Sequence, residues 1–541
     1  MTPFTPSLAP VIALCVPLLL LTTGLLPTAW ANRNPRTMGI LTSTVAALAF
    51  ITAIVTAGLY ALGNGGTYKV FSIDLPGDIG AFSLSSYVNA VTVIMLSLVS
   101  FVGAIVTRFS RNYLDGEPRQ GQFFKWMSLT LAAILFLIAS GNLIMFSLAW
   151  IATSLSLHQL LVFYGERRGA IMAAHKKFIV SRLADISLIS AIILIGLNLH
   201  TLEFADLAHS ASAFADSPPL GLQIAPWLIV LSAALKSAQF PFQGWLIQVM
   251  EAPTPVSALL HAGIVNAGAF LVIRMSPVMQ MSDSALSGLA AIGLITLLLA
   301  SLVMLAQTSI KVYLAWSTCA QMGFMLLEAG LGLYSLAMLH LVAHSLYKAH
   351  AFLSSGSGVD HFRSPKLLGG KSAVSPVYWL AALLASIGIS AVIAALSGVH
   401  LDNQPQLLAL GMVLAIASSQ LLLQFRPNQL GGLQLLELTG ISILINATYY
   451  ALHALFEMLL AHSVQSPAIN PVTQADYILP ALVVAGFIGV FILQQLLPQR
   501  RTSAGWQALY AHFSNGLYID VLVTRLTQSI WPAPLTHSKR I

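Results

Sequence analysis

LSAALKSAQFPFQGWLIQVMEAPTPVSALLHAGIVNAGAFLVIR, residues 231–274, decides how the rest of the chain is read. Apolar residues run almost throughout it, which places it in lipid or in a protein core. Yet it carries Lys236, Glu251 and His261, and prolines at 241, 253 and 255. A lysine at the centre of a bilayer costs about 3 kcal/mol on insertion scales. A helix-interior proline removes a backbone hydrogen bond. Broken helices with ionisable side chains persist at membrane depth where they line a polar path or a packed protein interior. The alternative is a proline-kinked helix whose lysine snorkels to the headgroups.

The whole chain has the same character. Of its 541 residues 57% are hydrophobic and 8% charged, against about 25% charged in average soluble chains. This predicts an all-α, polytopic membrane protein. The net charge of +7 is read as loop orientation and lipid contact, and no nucleic-acid partner is expected. Cys15 and Cys319 sit far apart in apolar runs, which suggests neither a disulfide framework nor a metal site. The apolar N-terminal stretch has no charged region before it and is read as a retained first span.

About fifteen apolar segments are long enough to span a bilayer. They lie near 9–30, 39–62, 88–107, 126–140, 142–164, 178–199, 225–247, 254–275, 286–306, 310–330, 333–354, 376–397, 405–424, 433–460 and 478–497. Alternate connections are basic: Arg33 and Arg36, then Arg108, Arg111, Arg119 and Lys125, then Arg167, Arg168, Lys176 and Lys177. Lys311, then Arg363, Lys366 and Lys371, then Arg426, then Arg500 and Arg501 continue the series. Asp74, Asp78, Glu203, Asp206, Asp216, Asp402 and Asp476 mark the connections between them. The positive-inside rule then puts the N-terminus outside and the C-terminus inside, as an odd number of spans requires. Residues 1–108 and 433–497 are read as N-terminal and C-terminal transmembrane helices. Residues 506–531 form an amphipathic segment, interfacial or partner-docking, interrupted at Asn515-Gly516. No phosphate loop, Cys cluster or Ser/His/Asp arrangement stands out, so no catalytic residue is assigned and no enzyme activity is expected.

Intramembrane ionisable groups carry the functional signal. Lys236, Gln239 and Gln243, at offsets of three and seven, are expected along one helix face. A lysine held there, away from water, suits proton exchange. His340, His344 and Lys348 recur every four residues, within about 80° on one face. Two imidazoles and an ammonium on one stripe suit a proton relay, since imidazole accepts on one nitrogen and donates from the other. A metal site is the weaker reading, because no carboxylate or Cys is placed nearby in sequence. Arg182 and Asp185 are spaced to pair. Lys311, at the start of a span, alone reads as a positive-inside anchor. For each of these the bland alternative is a satisfied core group or a charge at the membrane edge.

These stretches resemble a known family. LKSAQFPFQGWL (235–246) followed by MEAPTPVSALLHAGIVNAG (250–268) is similar to the signature of proton-translocating, antiporter-like membrane subunits. Those include the largest such subunit of respiratory complex I and the large subunit of Mrp sodium/proton antiporters. QTSIKVYLAWSTCAQMGFM (307–325) and HLVAHSLYKAHAFLSSGS (340–357) resemble the next two motifs, and the likeness runs roughly over residues 80–370. It implies two inverted five-helix repeats with a broken helix in each, here 124–276 and a partly degenerate 286–424. It also implies a line of proton carriers: Lys236, Lys311, His340, His344 and Lys348, with His261 a weaker candidate and Arg182 with Asp185 a tuning pair.

Three departures from the family pattern stand out. The family's fifth helix has Glu directly after a Trp, but Ile151 follows Trp150 here. His158, on the same face two turns further on, is the candidate substitute, although ~10 Å of helix separates the two positions. Tyr378 to Leu396, where the second break is expected, has no charged side chain. The complex I subunit continues into a long lateral helix and a final span, which are not expected here, since the sequence reaches Ile541 soon after its amphipathic segment. These departures, together with ERRGAIMAAHKKFIVSRLADISLI (166–189), resemble the DabB subunits of bacterial inorganic carbon accumulators. That resemblance implies a bacterial inner-membrane subunit without a cofactor of its own. Its partner would be a large peripheral zinc protein of the DabA kind, and protons, with sodium as the alternative, would drive one-way hydration of CO2 to bicarbonate. A cation/proton antiporter subunit and a non-conducting anchor for a soluble partner remain rival readings.

Overall fold

The computed structural model describes residues 7–356, 376–401, 404–423, 432–465, 475–496 and 503–532. Helices built from long apolar runs make up most of it: α1 Leu8–Gly24, α2 Thr28–Arg33, α3 Pro35–Ala61, α4 Ala90–Tyr113, α5 Gln120–Ala139, α6 Leu143–Leu161, α7 Arg168–Leu199, α8 Phe204–Ser212 and α9 Leu220–Lys236. Past a break come α10 Gly244–Gln248, α11 Thr254–Leu259, a π turn at Leu260–Ile264, α12 Ala267–Arg274 and α13 Ser276–Met279. The later helices are α14 Asp283–Leu305, α15 Ile310–Gly330, α16 Tyr334–Leu353, α17 Pro376–Leu396, α18 Pro405–Leu422, α19 Gly432–Leu460 and α20 Ala475–Leu496. The described chain closes with α21 Ala504–Ser514 and α22 Ile519–Ile530.

Among the described residues eleven helices are long and apolar enough to cross a membrane, fewer than the expected fifteen. The difference has a physical source. α1 and α9 are apolar but only 17 residues long. α15 and α16 are 21 and 20 residues long, but side chains such as Glu328, His340 and His344 lower their apolarity. The break expected near residues 378–396 is not seen, and α17 runs 21 residues without interruption.

The fold is also not purely helical. β1 Gly66–Asp74 and β2 Ala81–Val88 form an antiparallel hairpin. Positive φ at Gly77 (84°) and Gly80 (106°) lets the chain reverse between them, a conformation glycine reaches without steric penalty. Ser83 and Ser85 of β2 hold the buried Glu203 carboxylate at 2.6 and 3.3 Å, so an acid read as a loop charge is an internal strut. α14 and α15 approach at Gly293 and Gly323, where a Cβ on either glycine would strike the other's carbonyl oxygen. Small residues permit such backbone contact between membrane helices. The basic positions Arg363, Lys366, Lys371, Arg426, Arg500 and Arg501, together with Asp402, lie outside the described residues.

Candidate functional site

Lys236 is the last residue of α9, and the local sequence explains why the helix stops there. Pro241 lacks the N–H needed to continue the ladder. Ala238 takes positive φ (51°), and Ser237 Oγ donates 2.9 Å to Val265 O across the break. Gln239 and Gln243 therefore fall beyond the helix and do not share a face with Lys236, which corrects the expected stripe. The Lys236 side chain is buried, donates from Nζ to Trp150 O at 3.4 Å and lies 4.3 Å above the Trp150 ring. A desolvated cation gains about 2 kcal/mol from such a ring face.

One turn further along α6, a second lysine reaches the same helix. Lys177 Nζ donates to Ser154 O at 2.6 Å and to Ser154 Oγ at 2.9 Å. Lys177 is 2% exposed and Lys176 1%, so both were misassigned as loop charges. Arg182 and Asp185 pair at 2.7 Å. The charges of Arg182 and Asp185 reach both Lys177 and Lys236. Three cations and one carboxylate thus share this interior. The carboxylate acting on Lys236 is Asp185, from α7. His158 is not brought to that role: it packs against Phe178 (5.5 Å) and Trp531 (6.3 Å).

A second group gathers around the π turn. His261 sits in that turn, fully buried, its ring stacked on Phe352 at 4.4 Å. His340 and His344 stand one turn apart on α16, with ring centroids 6.3 Å apart. Neither nitrogen of His261 or His344 has a hydrogen-bond partner among the described residues. Lys348 donates to Leu314 O at 3.1 Å. Lys348 also acts electrostatically on both His261 and His344, which ties α16 to the turn. His340 is held from both sides, by Glu328 Oε2 at 2.9 Å and Gln321 Oε1 at 2.6 Å. With Nε2 donating to Gln321, Nδ1 and the Glu328 carboxyl have one proton to share. Lys311 stands apart, half-buried, donating 3.2 Å to Thr254 Oγ1 at the head of α11.

Between the groups lies a cavity of about 20 Å³, room for roughly one water. Lys236, Trp150 and Thr153 form one wall, and Gly263 and Ile264 of the π turn another. The break in α9 and the turn that carries His261 therefore face a common space.

Three participants escaped the sequence reading: Lys177, Glu328 and Gln321. Signals for them existed. Lys177 and Asp185 are eight residues apart, as Gln321 and Glu328 are seven, so each pair falls on one helix face. Glu328 also corrects the expectation that no carboxylate lies near the α16 histidines. Even so, no cluster of three or more His, Cys, Asp or Glu placed to hold a metal occurs among the described residues.

The C-terminal segment breaks where Asn515-Gly516 predicted, with Leu517 and Tyr518 both at positive φ. One side of its end is held by the rest of the chain, while Leu522, Leu526 and Ile530 stay exposed. Asp520 pairs with Lys176 at 2.7 Å and accepts 2.8 Å from Gln248 Nε2. Trp531 stacks on His175 at 3.9 Å. Gly244 leaves room for this contact, because a Cβ there would strike the Asp520 carboxylate. Gly244→Ala is accordingly expected to unseat the tail. Tryptic cleavage at Arg525 in the purified complex should then run several-fold faster than in the unsubstituted chain, and equal rates would show that the tail is held elsewhere.

The model described as "NADH:quinone oxidoreductase/Mrp antiporter, TM" matches residues 140–418, and that of "NADH-Ubiquinone oxidoreductase (complex I), chain 5 N-terminus" matches residues 77–124. The chain is 46% identical over 464 residues to the "Probable inorganic carbon transporter subunit DabB2" of Halothiobacillus neapolitanus, covering 85% of this chain and 82% of that one. It is 38% identical over 452 residues to the "Probable inorganic carbon transporter subunit DabB" of Hydrogenovibrio crunogenus, covering 83% and 84%. A chain of the Mrp complex from Dietzia sp. DQ12-45-1b shares the fold at a TM-score of 0.57 and 22% identity, over 98% of this chain and 58% of that one. A backbone broken at Lys236, buried basic side chains on both sides of the break, and these matches agree that the chain belongs to the DabB family of inorganic carbon transporter subunits, within the antiporter-like membrane subunits of complex I and the Mrp antiporters.

Proposed function

We propose that this chain is the cation-conducting membrane subunit of a bacterial inner-membrane inorganic carbon accumulator. It couples a proton gradient to one-way hydration of CO2 to bicarbonate, catalysed by a large peripheral zinc partner of the DabA kind. The observation that carries this reading is Lys236. Its ammonium sits buried at the broken end of a helix, held by a carbonyl and an indole face, with no carboxylate in ion-pair contact among the described residues. A purely structural role would gain little from such a buried charge. The unpartnered ring nitrogens of His261 and His344, the shared proton of the His340–Glu328 pair, and Lys348 extend a line of groups that can pass protons. Lys311, which stands apart at the start of α15, is included on the family motif alone, and Arg182 with Asp185 tunes the first lysine of the line.

Each hydration releases a proton, so a path that governs where protons enter and leave can fix the direction. Moving one charge through 100 mV supplies about 2.3 kcal/mol, nearly two decades in concentration. The chain's own part is to hold and move protons; the hydration chemistry belongs to the partner. A second reading, a non-conducting anchor, draws on the unbroken, uncharged helix α17.

The test is gentle purification from the native membrane, with partner and metal content determined, followed by uptake measurements in cells. One large zinc-containing partner, with accumulation abolished by a protonophore, is the expected result. Abolition by a sodium ionophore alone would make sodium the ion. Several small membrane partners without zinc would favour an antiporter. Accumulation indifferent to both gradients would favour the anchor.

A further inference from the structure

Lys177 has no counterpart among the groups assigned so far, and its surroundings are specific. Its side chain is enclosed, and its two hydrogen bonds go to one residue, Ser154, through a backbone carbonyl and a hydroxyl. The nearest opposite charge is already engaged, since Asp185 pairs with Arg182 at 2.7 Å. A buried ammonium left to neutral acceptors is expensive to maintain. Ser154, however, suits both states of the side chain. Toward –NH3⁺, its carbonyl and hydroxyl oxygens both accept. Toward –NH2, the carbonyl still accepts an N–H, while the hydroxyl turns to donate its proton to the nitrogen lone pair.

Position adds a second argument. Lys236 is anchored on Trp150 O and Lys177 on Ser154 O, four residues later on the same helix, a separation of ~6 Å along the axis. The two amines are thus held about one turn of α6 apart, close enough for the Lys236 charge to act on Lys177. The groups facing Lys177 are Lys236 from α9, His158 from α6, and Arg182 and Asp185 from its own helix.

We infer that Lys177 is a proton-carrying residue of the path, receiving protons from Lys236 at the broken helix and passing them onward along α7. This rests on the proton-conducting reading above. In the step, the Lys236 ammonium gives a proton to a bridging water, and that water gives one of its own to the neutral Lys177 amine. Lys236 is left neutral, Lys177 becomes the ammonium, and the water is regenerated.

The experiment uses the complete complex in cells and compares Lys177→Met, Lys177→Arg, Lys177→His and Lys177→Gln with Lys236→Ala. Co-purified partner is measured in every case to establish assembly. Lys177→Met is expected to lower inorganic carbon accumulation at least tenfold in an assembled complex. Lys177→Arg should be equally low, because its guanidinium keeps the charge but does not release the proton. Lys177→His should restore part of the activity with its pH optimum moved toward acid, since imidazole titrates near 6.5 and lysine near 10.4 in model compounds. A merely structural cation would instead be rescued by Arg and show no change of pH profile. If Lys177→Met fails to assemble, Lys177→Gln keeps a hydrogen-bond donor toward Ser154 and reads the same loss. Wild-type accumulation in Lys177→Met or Lys177→Gln, or rescue by Arg, overturns the inference. Inactive Lys236→Ala beside active Lys177 variants would leave the proton-conducting reading intact. Full activity in Lys236→Ala would overturn that reading and this step together.

Discussion

Lys236→Ala abolishes inorganic carbon accumulation while the complex still assembles: this is the expected result of the most consequential substitution in the chain. The side chain packs against Trp150 within the chain, so its loss opens a small space at the break. What disappears is the amine facing the cavity shared with the π turn. Positioned proton transfer contributes a factor of about 100 to 10,000 where it limits a reaction. Accumulation should therefore fall about 100-fold or more, to the level of cells lacking the complex. Labelled inorganic carbon taken up by cells provides the measure, and co-purified partner the assembly control. Accumulation at the unsubstituted level would remove Lys236 from the mechanism.

Arg274→Met is expected to act on the fold instead. Arg274, the last residue of α12, is buried and fans its guanidinium over four acceptors. Nη1 donates to Asn89 Oδ1 at 3.0 Å and Thr92 Oγ1 at 2.9 Å, and Nη2 to Ser140 O at 3.1 Å and Tyr87 O at 3.4 Å. The rings of Tyr87 and Phe204 flank it at 4.8 and 4.7 Å. One side chain thus ties the hairpin, the head of α4 and the α5–α6 junction to the end of the helix that follows the π turn. Methionine fills much of the same space but leaves these acceptors without their donor. Hydrogen bonds to a charged group contribute about 1.5–3 kcal/mol each, and deleting a buried charged partner typically costs about 3–5 kcal/mol in total. The purified complex should melt several degrees lower and be recovered in poorer yield. Unchanged melting would show that the cluster contributes nothing net.

Local pattern accounts for what the sequence disclosed. The apolar runs, the four-residue spacing of His340, His344 and Lys348, the i,i+3 pairing of Arg182 with Asp185, and the interruption at Asn515-Gly516 are all readable within a few turns of chain. Each reading that failed crossed an element boundary. Gln239 and Gln243 were assigned to a helix that ends at Lys236, because periodicity was extended across Pro241. Lys176 and Lys177 were counted as loop charges, since nothing local announces a tail that returns from residue 520 or a serine on α6. The hairpin was not legible because Gly66–Asp74 lies between two spans and has no sustained period-two pattern: Val70 and Phe71 are adjacent and both exposed, beside the register irregularity between Lys69 and Phe71. Glu328 and His340 belong to different helices, and only the turn between α15 and α16 brings them together.

Lys176 and Lys177 are consecutive residues, so the grip of the tail and the grip of the path meet across a single peptide bond. Asp520 holds the first and Ser154 the second. One turn of α7 thus serves two neighbours at once, the C-terminal helix α22 on one side and α6 on the other, with Gly244 packed against the Asp520 carboxylate.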